Sequence, residues 1–228
     1  MKWAYGITTV PSRFNDLLPQ TVESLKAAGF DKPRIFVDGL LNPKDFATEW
    51  NFEITTRFPS IRTFGNWALG LYELSIRDPN ATHYAMFQDD FITYKNLRQY
   101  LESCEYPEKG YWNLYTFPSN QTLCPKDYVG WYPSNQRGLG AVALVFSRQA
   151  VMTLFMQPHF IERPLDALRG WRSIDGGIVT ALKQAGWREY VHNPSLVQHM
   201  GVTSSMGNGI QQQATSFRGA DYDALRIK

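Results

Sequence analysis

WAYGITTVPSRFNDLLPQTVESLKAAGFDKPRIFV, residues 3–37, changes its hydrophobic period twice. Residues 3–9 are β-branched and aromatic and stop short of Pro11, which predicts a buried strand. In residues 17–28, Leu18, Val22 and Leu25 recur at helical spacing and Gly29 follows as a stop signal. Arg34-Ile35-Phe36-Val37, after Lys32-Pro33, repeats the strand pattern. Strand, helix and strand in this order predict two parallel strands joined by a crossover helix.

Working outward, residues 66–77 carry Leu71, Leu74 and Ile76 on one side and meet Asp78-Pro79, where proline disfavours helix in the residue before it. Residues 83–87 read as a third strand, and Tyr94, Leu97, Tyr100 and Leu101 then fall at amphipathic helical spacing. The alternation predicts an α/β fold with a mostly parallel central sheet and helices on both faces, and ligands of such sheets bind where the strands end. Further on, residues 111–117 and 140–146 read as strands and residues 126–137 as a long loop rich in Gly, Pro, Asn and aromatics. Ser147 is placed to cap a helix through Phe155, and Asp175-Gly176-Gly177 precedes a helix ending at Gly186. After His192-Asn193-Pro194 the chain reads as irregular, with a polar tail from Gly207.

The chemistry gathers in two places. YAMFQDDF, residues 84–91, is a hydrophobic strand ending in two adjacent carboxylates. At the edge of a parallel sheet such carboxylates can hold a hard divalent cation that neutralises a diphosphate; the rival reading is an acidic turn capping the next helix. His199, in PSLVQHMGVTSS (residues 194–205), offers an imidazole suited to a first-row metal such as Mn²⁺, against the rival of a hydrogen-bonded structural histidine. Arg13 can pair with a diphosphate through two hydrogen bonds. Asn66 either faces a nucleotide or caps its helix. Asp175, flanked by Gly176 and Gly177, is a sterically open carboxylate of the kind that serves as a general base, against the rival of a helix cap, with Asp166 in reserve. Trp131 and Trp171, interleaved with Arg137 and Arg172, could stack on a sugar or base, or follow a phosphodiester backbone.

These residues resemble a known family. Gln88-Asp89-Asp90 resembles the D-x-D element, often E-D-D, of GT-A glycosyltransferases. PSLVQHMGVTSS, continuing into Met206-Gly207-Asn208-Gly209-Ile210-Gln211, resembles the C-terminal P-S-L-x-Q-H-x-G-x-x-S-S of the N-acetylglucosaminyltransferases that add the type IV branch to N-glycans. The resemblance implies a GT-A, Rossmann-like fold, a UDP-sugar donor and Mn²⁺ or Mg²⁺. It implies Asp90 and His199 as metal ligands, and Gln88, Asp89, Thr8, Thr9, Arg13, Asp38 and Asn66 on the donor. It implies Asp175 as the base; the aromatic and basic make-up of the central loops sets Trp131, Arg137, Trp171 and Arg172, with the loop residue Asp166, as candidates on the acceptor side. Residues 1–110 would be the nucleotide-sugar half of one domain, 111–206 the acceptor half and 207–228 a tail. Gln88 departs from the pattern, being neutral where the first acid is usual.

The rest of the sequence narrows the class. With 228 residues, 43% apolar and 19% charged, the chain has the balance of one globular domain. A formal charge of +2 is too small to act alone as a nucleic-acid footprint. The longest uncharged apolar run, residues 139–146, is far below the roughly 20 residues of a membrane helix, and no signal peptide is read at the start. Two cysteines without a C-x-x-C indicate neither a disulfide framework nor a thiolate zinc site, so a reducing, cytoplasmic setting is expected, and a small, unanchored version of the fold that the resemblance implies would suit a bacterial cell or a phage-infected one. The expected function is transfer of GlcNAc or glucose from a UDP-sugar to a hydroxyl of a glycan, a protein, a small molecule or a hydroxymethylated DNA base. The alternatives are a nucleotidyltransferase, against which Thr8 to Arg13 lacks the usual Gly-rich loop, and a non-catalytic nucleotide-sugar-binding module.

Overall fold

The computed structural model describes residues 1–46, 50–162, 174–200 and 212–228. In chain order the elements are β1 (Trp3–Thr9), α1 (Leu17–Ala27), β2 (Arg34–Asp38), β3 (Ile54–Arg57), α2 (Arg62–Arg77), β4 (His83–Gln88), β5 (Phe91–Thr93) and α3 (Leu97–Ser103). They continue with β6 (Gly110–Asn113), α4 (Pro118–Gln121), β7 (Gly130–Pro133), β8 (Ala143–Ser147), α5 (Arg148–Phe155), α6 (Pro158–Ile161), α7 (Ile174–Gln184), β9 (Arg188–Asn193) and β10 (Val197–His199).

Eight strands form one sheet in the order β3-β2-β1-β4-β8-β6-β9-β7. β3, β2, β1 and β4 are parallel neighbours, β8 runs against β4 and β6, β9 is parallel to β6, and β7 is antiparallel to β9. Six of the eight therefore point one way, the mostly parallel sheet that the sequence predicts. Period-two alternation divides the core between the two faces. Ile7, Ile35, Val37, Ala85 and Phe87 pack with Leu18, Val22 and Leu25 of α1 and Leu97 and Leu101 of α3. Ala4, Phe36, Tyr84 and Met86 pack with Phe64, Trp67, Leu71 and Leu74 of α2, joined by residues of α5 and α7. Each large side chain fully buried in these layers contributes roughly 1.5–3 kcal/mol.

Two glycines make the slot for one ring. A Cβ on Gly6 would lie 2.5 Å from Cε2 of Phe36 and 2.9 Å from the Arg34 carbonyl oxygen, and one on Gly70 would lie 2.9 Å from Cδ2 of Phe36. The Arg34 carbonyl belongs to the adjacent strand and has nowhere to move. Gly6→Ala is therefore expected to destabilise the fold by about 1–3 kcal/mol, read as a lower urea midpoint.

Several elements differ from expectation, each for a local reason. α2 begins at Arg62 rather than at residue 66, because Asp38 caps it from the end of β2: its carboxylate accepts from the Ser60 hydroxyl and the Ile61 and Arg62 amides. The loop expected over residues 126–137 contains β7, and β9, unread in the sequence, is its partner. β6 stops at Asn113, whose Oδ1 accepts from the Tyr115 amide and turns the chain. β3 and β5 are too short to announce themselves. Residues 197–199, expected to be irregular, pair with β5 as an antiparallel ribbon. Asp175 lies inside the first turn of α7 rather than before the helix. Residues 212–228 pack on the domain, with Phe217 stacked on Tyr94 at 4.8 Å and Ala214 and Ala224 buried. Among the described residues, no helix is long and apolar enough to cross a membrane.

Candidate active site

The two carboxylates stand where the sheet's central parallel strands end. β4 closes on Gln88, whose side-chain amide donates to the Ala141 carbonyl (2.8 Å) while its backbone amide donates to the Val142 carbonyl. Asp89 and Asp90 follow, only 7% and 4% exposed. The Thr9 hydroxyl, at the end of β1, donates to Asp89 Oδ2 at 2.5 Å. Arg13, in the 3-10 turn Pro11–Arg13, spans both acids: its Nη1 is 2.9 Å from Asp90 Oδ2 and 3.4 Å from Asp89 Oδ1. Burial pushes the Asp89 carboxyl up, with the charge of Asp90 acting in the same direction and that of Arg13 opposing it. Asp90 Oδ1 is buried and has no hydrogen-bond partner among the described residues. An orphaned carboxylate oxygen calls for a missing partner.

His199 comes to this spot from far along the chain. Residues 194–199 are laid beside the exit of β6: the Leu196 amide donates to the Leu114 carbonyl, Thr93 Oγ1 donates to the Leu196 carbonyl, and Ser195 Oγ accepts from the Thr116 amide. His192 anchors the start of this stretch. Its Nδ1–H donates to the Pro194 carbonyl, which fixes the tautomer, so Nε2 accepts from the Tyr100 hydroxyl at 2.7 Å. The β10–β5 register then sets His199 opposite Phe91, and the Met200 amide donates to the Asp90 carbonyl. His199 Nε2 lies 3.4 Å from Asp90 Oδ2. Burial lowers the pKa of His199 despite the neighbouring Asp90, which favours the neutral imidazole that a metal ion needs. Among the described residues no three His, Cys, Asp or Glu side chains are grouped to hold a metal, so Asp90 and His199 meet as a pair.

Asp175 is tied to the same end of the sheet. Gly140 N–H donates to its Oδ2 at 2.9 Å and Gly176 N–H to its Oδ1 at 3.1 Å. The next residue after Gly140, Ala141, is the one that holds Gln88, so one short loop connects the carboxylate to the end of β4. Gly138 packs so closely on α7 that a Cβ there would lie 2.5 Å from the Asp175 carbonyl oxygen. Beneath this loop, Glu189 on β9 is 1% exposed and accepts from Tyr111 and Asn113. Burial pushes Glu189 from 4.5 up to about 7, and the charge of Asp175 adds to the rise. A carboxyl raised in the folded state stabilises most fully below its unfolded value and loses that contribution as pH rises through the folded one. Glu189→Gln should therefore gain stability relative to wild type between pH 4.5 and about 7. The gain should reach the order of 3 kcal/mol at pH 8, read from paired urea midpoints at the two pH extremes.

The remaining expected residues divide by environment. Thr8 Oγ1 donates to the Phe87 carbonyl within the strand pair. Asn66 is buried, accepting from Arg57 Nε and donating to the Phe36 carbonyl, so it bridges strands rather than opening a helix. The carboxylate of Asp38 is engaged as the cap of α2. Trp131 stacks at 4.5 Å on the buried Trp112 and packs against His192, because β7 turns it inward. Arg137 is exposed beside Gly138. Asp166, Trp171 and Arg172 lie outside the described residues, as do residues 201–211 of the C-terminal motif. The sequence reading missed Asn113, Gly140 and Glu189, and recognising β9 as a strand would have put Glu189 on its inward face.

No protein-family profile matches the chain, and no curated sequence is significantly similar to it. Solved structures are similar. One is GalNAc-T7 with UDP, GalNAc and Mn²⁺, at a TM-score of 0.60 and 11% identity over 87% of this chain. The match spans 44% of that protein, about half its length. Another is a nucleotidyl transferase from Methanothermobacter thermautotroptrophicus, at a TM-score of 0.50 and 11% identity, covering 84% of this chain and 86% of that one. At such identities the likeness is one of fold: the chain has a GT-A-like, Rossmann-type α/β architecture.

Proposed function

We propose that the protein is a metal-dependent glycosyltransferase that moves a sugar, GlcNAc or glucose first among candidates, from a UDP-sugar to an acceptor hydroxyl with inversion. The observation that carries this reading is the pair Asp90 and His199, brought together at the end of the parallel strands with one Asp90 oxygen buried and unpartnered. A carboxylate oxygen beside a neutral imidazole is the mixed donor set that suits Mn²⁺, with water and diphosphate oxygens completing the shell. A cation held there would neutralise charge on the departing diphosphate.

The chain's own residues do the rest. Arg13 is anchored on both acids within reach of the same strand end and supplies a fixed positive charge towards a diphosphate. In this reading Asp89, which the Thr9 hydroxyl holds, takes a hydroxyl of the donor. Asp175 takes the acceptor proton as the sugar leaves, with the Gly140 amide keeping its carboxylate in one orientation. In this reading residues 1–110 hold the nucleotide sugar and residues 111–206 face the acceptor. The fold is shared with a GalNAc transferase that carries UDP and Mn²⁺, which favours the reading without fixing the sugar. The likeness to a nucleotidyl transferase keeps a second chemistry in the test, although residues 8–13, TTVPSR, have no Gly-rich phosphate loop.

The test is release of product from a panel of nucleotide sugars with Mn²⁺, Mg²⁺ or EDTA, alone and with glycan, protein, small-molecule and hydroxymethylated-DNA acceptors. UDP released from one donor and stopped by EDTA is the expected result. Pyrophosphate chemistry on a sugar phosphate and UTP would point to nucleotidyl transfer instead. UDP binding without turnover of any donor would leave a binding module, and silence with no UDP binding would sink the proposal.

A further inference from the structure

We infer that Glu189 and Asn113 are positioning residues for Asp175, acting through the Leu139–Gly140 peptide; this rests on the reading of Asp175 as the base. Asn113, at the end of β6, is fully buried and uses three of its four hydrogen-bonding capacities. Its Oδ1 accepts from the Tyr115 amide at 3.1 Å, and its Nδ2 donates to the Leu139 carbonyl and to Glu189 Oε1, both at 3.2 Å. The Leu139 carbonyl and the Gly140 amide are the two ends of one rigid trans peptide plane, so holding the oxygen aims the N–H the other way. That N–H points at Asp175 Oδ2, 2.9 Å away.

The rest of the surroundings lock this plane. Gly140 has φ +78°, and a Cβ there would meet the Tyr115 ring, which Asn113 also fixes through the Tyr115 amide. Glu189 sets which way the Asn113 amide is turned, since it takes the hydrogen that the Leu139 carbonyl does not. Tyr111, its register partner on β6, donates to the same oxygen at 3.3 Å. A carboxyl on β9 thus controls, two hydrogen bonds and one peptide away, the amide that orients a carboxylate on α7. The groups facing Glu189 are Tyr111 and Asn113 from β6, Ser134 after β7 and Asp175 from α7.

The experiment combines transfer kinetics with amide measurements at Gly140. Glu189→Leu is expected to lower kcat roughly 10- to 100-fold with the donor KM unchanged, and Glu189→Gln, which keeps the accepting oxygen, to restore it. Gly140 hydrogen exchange should quicken about tenfold in Glu189→Leu and return in Glu189→Gln. Should the leucine variant fail to fold, wild type and Glu189→Gln suffice. In wild type the Gly140 amide shift should move with a midpoint near 7, where Glu189 titrates, and in Glu189→Gln that movement should vanish. A Gly140 amide that ignores this pH range, or moves equally in both proteins, overturns the inference. A fully active Asp175→Asn with Gly140 still following Glu189 would instead overturn the base assignment and leave the positioning contact standing.

Discussion

Asp175→Asn is expected to bind UDP-sugar as the wild type does and to transfer it about a thousandfold or more slower, because on the proposed reading the substitution removes the proton acceptor. The asparagine oxygen can still accept from the Gly140 amide, and the α7 turn keeps its shape, so the loss should fall on kcat alone. Single-turnover transfer, with donor affinity measured separately, checks this. Normal transfer by Asp175→Asn would remove Asp175 from the chemistry.

The second large effect is expected at Asp90. Asp90→Ala should abolish the Mn²⁺-dependent part of UDP binding, a loss of at least a hundredfold, since only His199 would remain of the pair. Titration calorimetry of UDP with Mn²⁺ or EDTA separates that part from the metal-independent part of the binding. Arg13 complicates the outcome in a useful way. It is 2.9 Å from Asp90 but also within 3.4 Å of Asp89, so in Asp90→Ala the guanidinium still has a carboxylate and the fold should hold. An Asp90→Ala protein with unchanged Mn²⁺ dependence would place the cation elsewhere or nowhere.

What could be read from the sequence follows a physical divide. The period of the side chains is local, so β1, α1, β2, β4 and the helix capped by Ser147 lie where their patterns say. The end of β4 was legible for the same reason: a hydrophobic run that stops in two acids marks a strand end wherever the strand goes. β3 and β7 were not, because four-residue strands exist only through their partners, and β9 hides a buried glutamate among Arg188, Tyr190 and Asn193. Asp38 and Asn66 show a different limit. Their residue types suit a ligand and a helix cap equally, and only the arrival of α2 beside β2 commits them to structural bonds. Trp131 looked like a free ring until β7 turned it onto Trp112.

The ribbon of β10 on β5 has a consequence for the order of assembly. The acids follow strand β4 and the imidazole follows strand β9, so the pair is written in two distant parts of the message. A nascent chain that ends before residue 197 holds Thr9, Arg13, Asp89, Asp90 and Asp175, yet has no His199 to place beside Asp90. Long-range contacts of this kind close late in folding, after the local β-α-β units have formed. The pair therefore depends on a contact that spans more than a hundred residues of chain, and a product that stops before residue 197 has the acids without the imidazole and lacks Val197, Ala214 and Ala224 of the core as well.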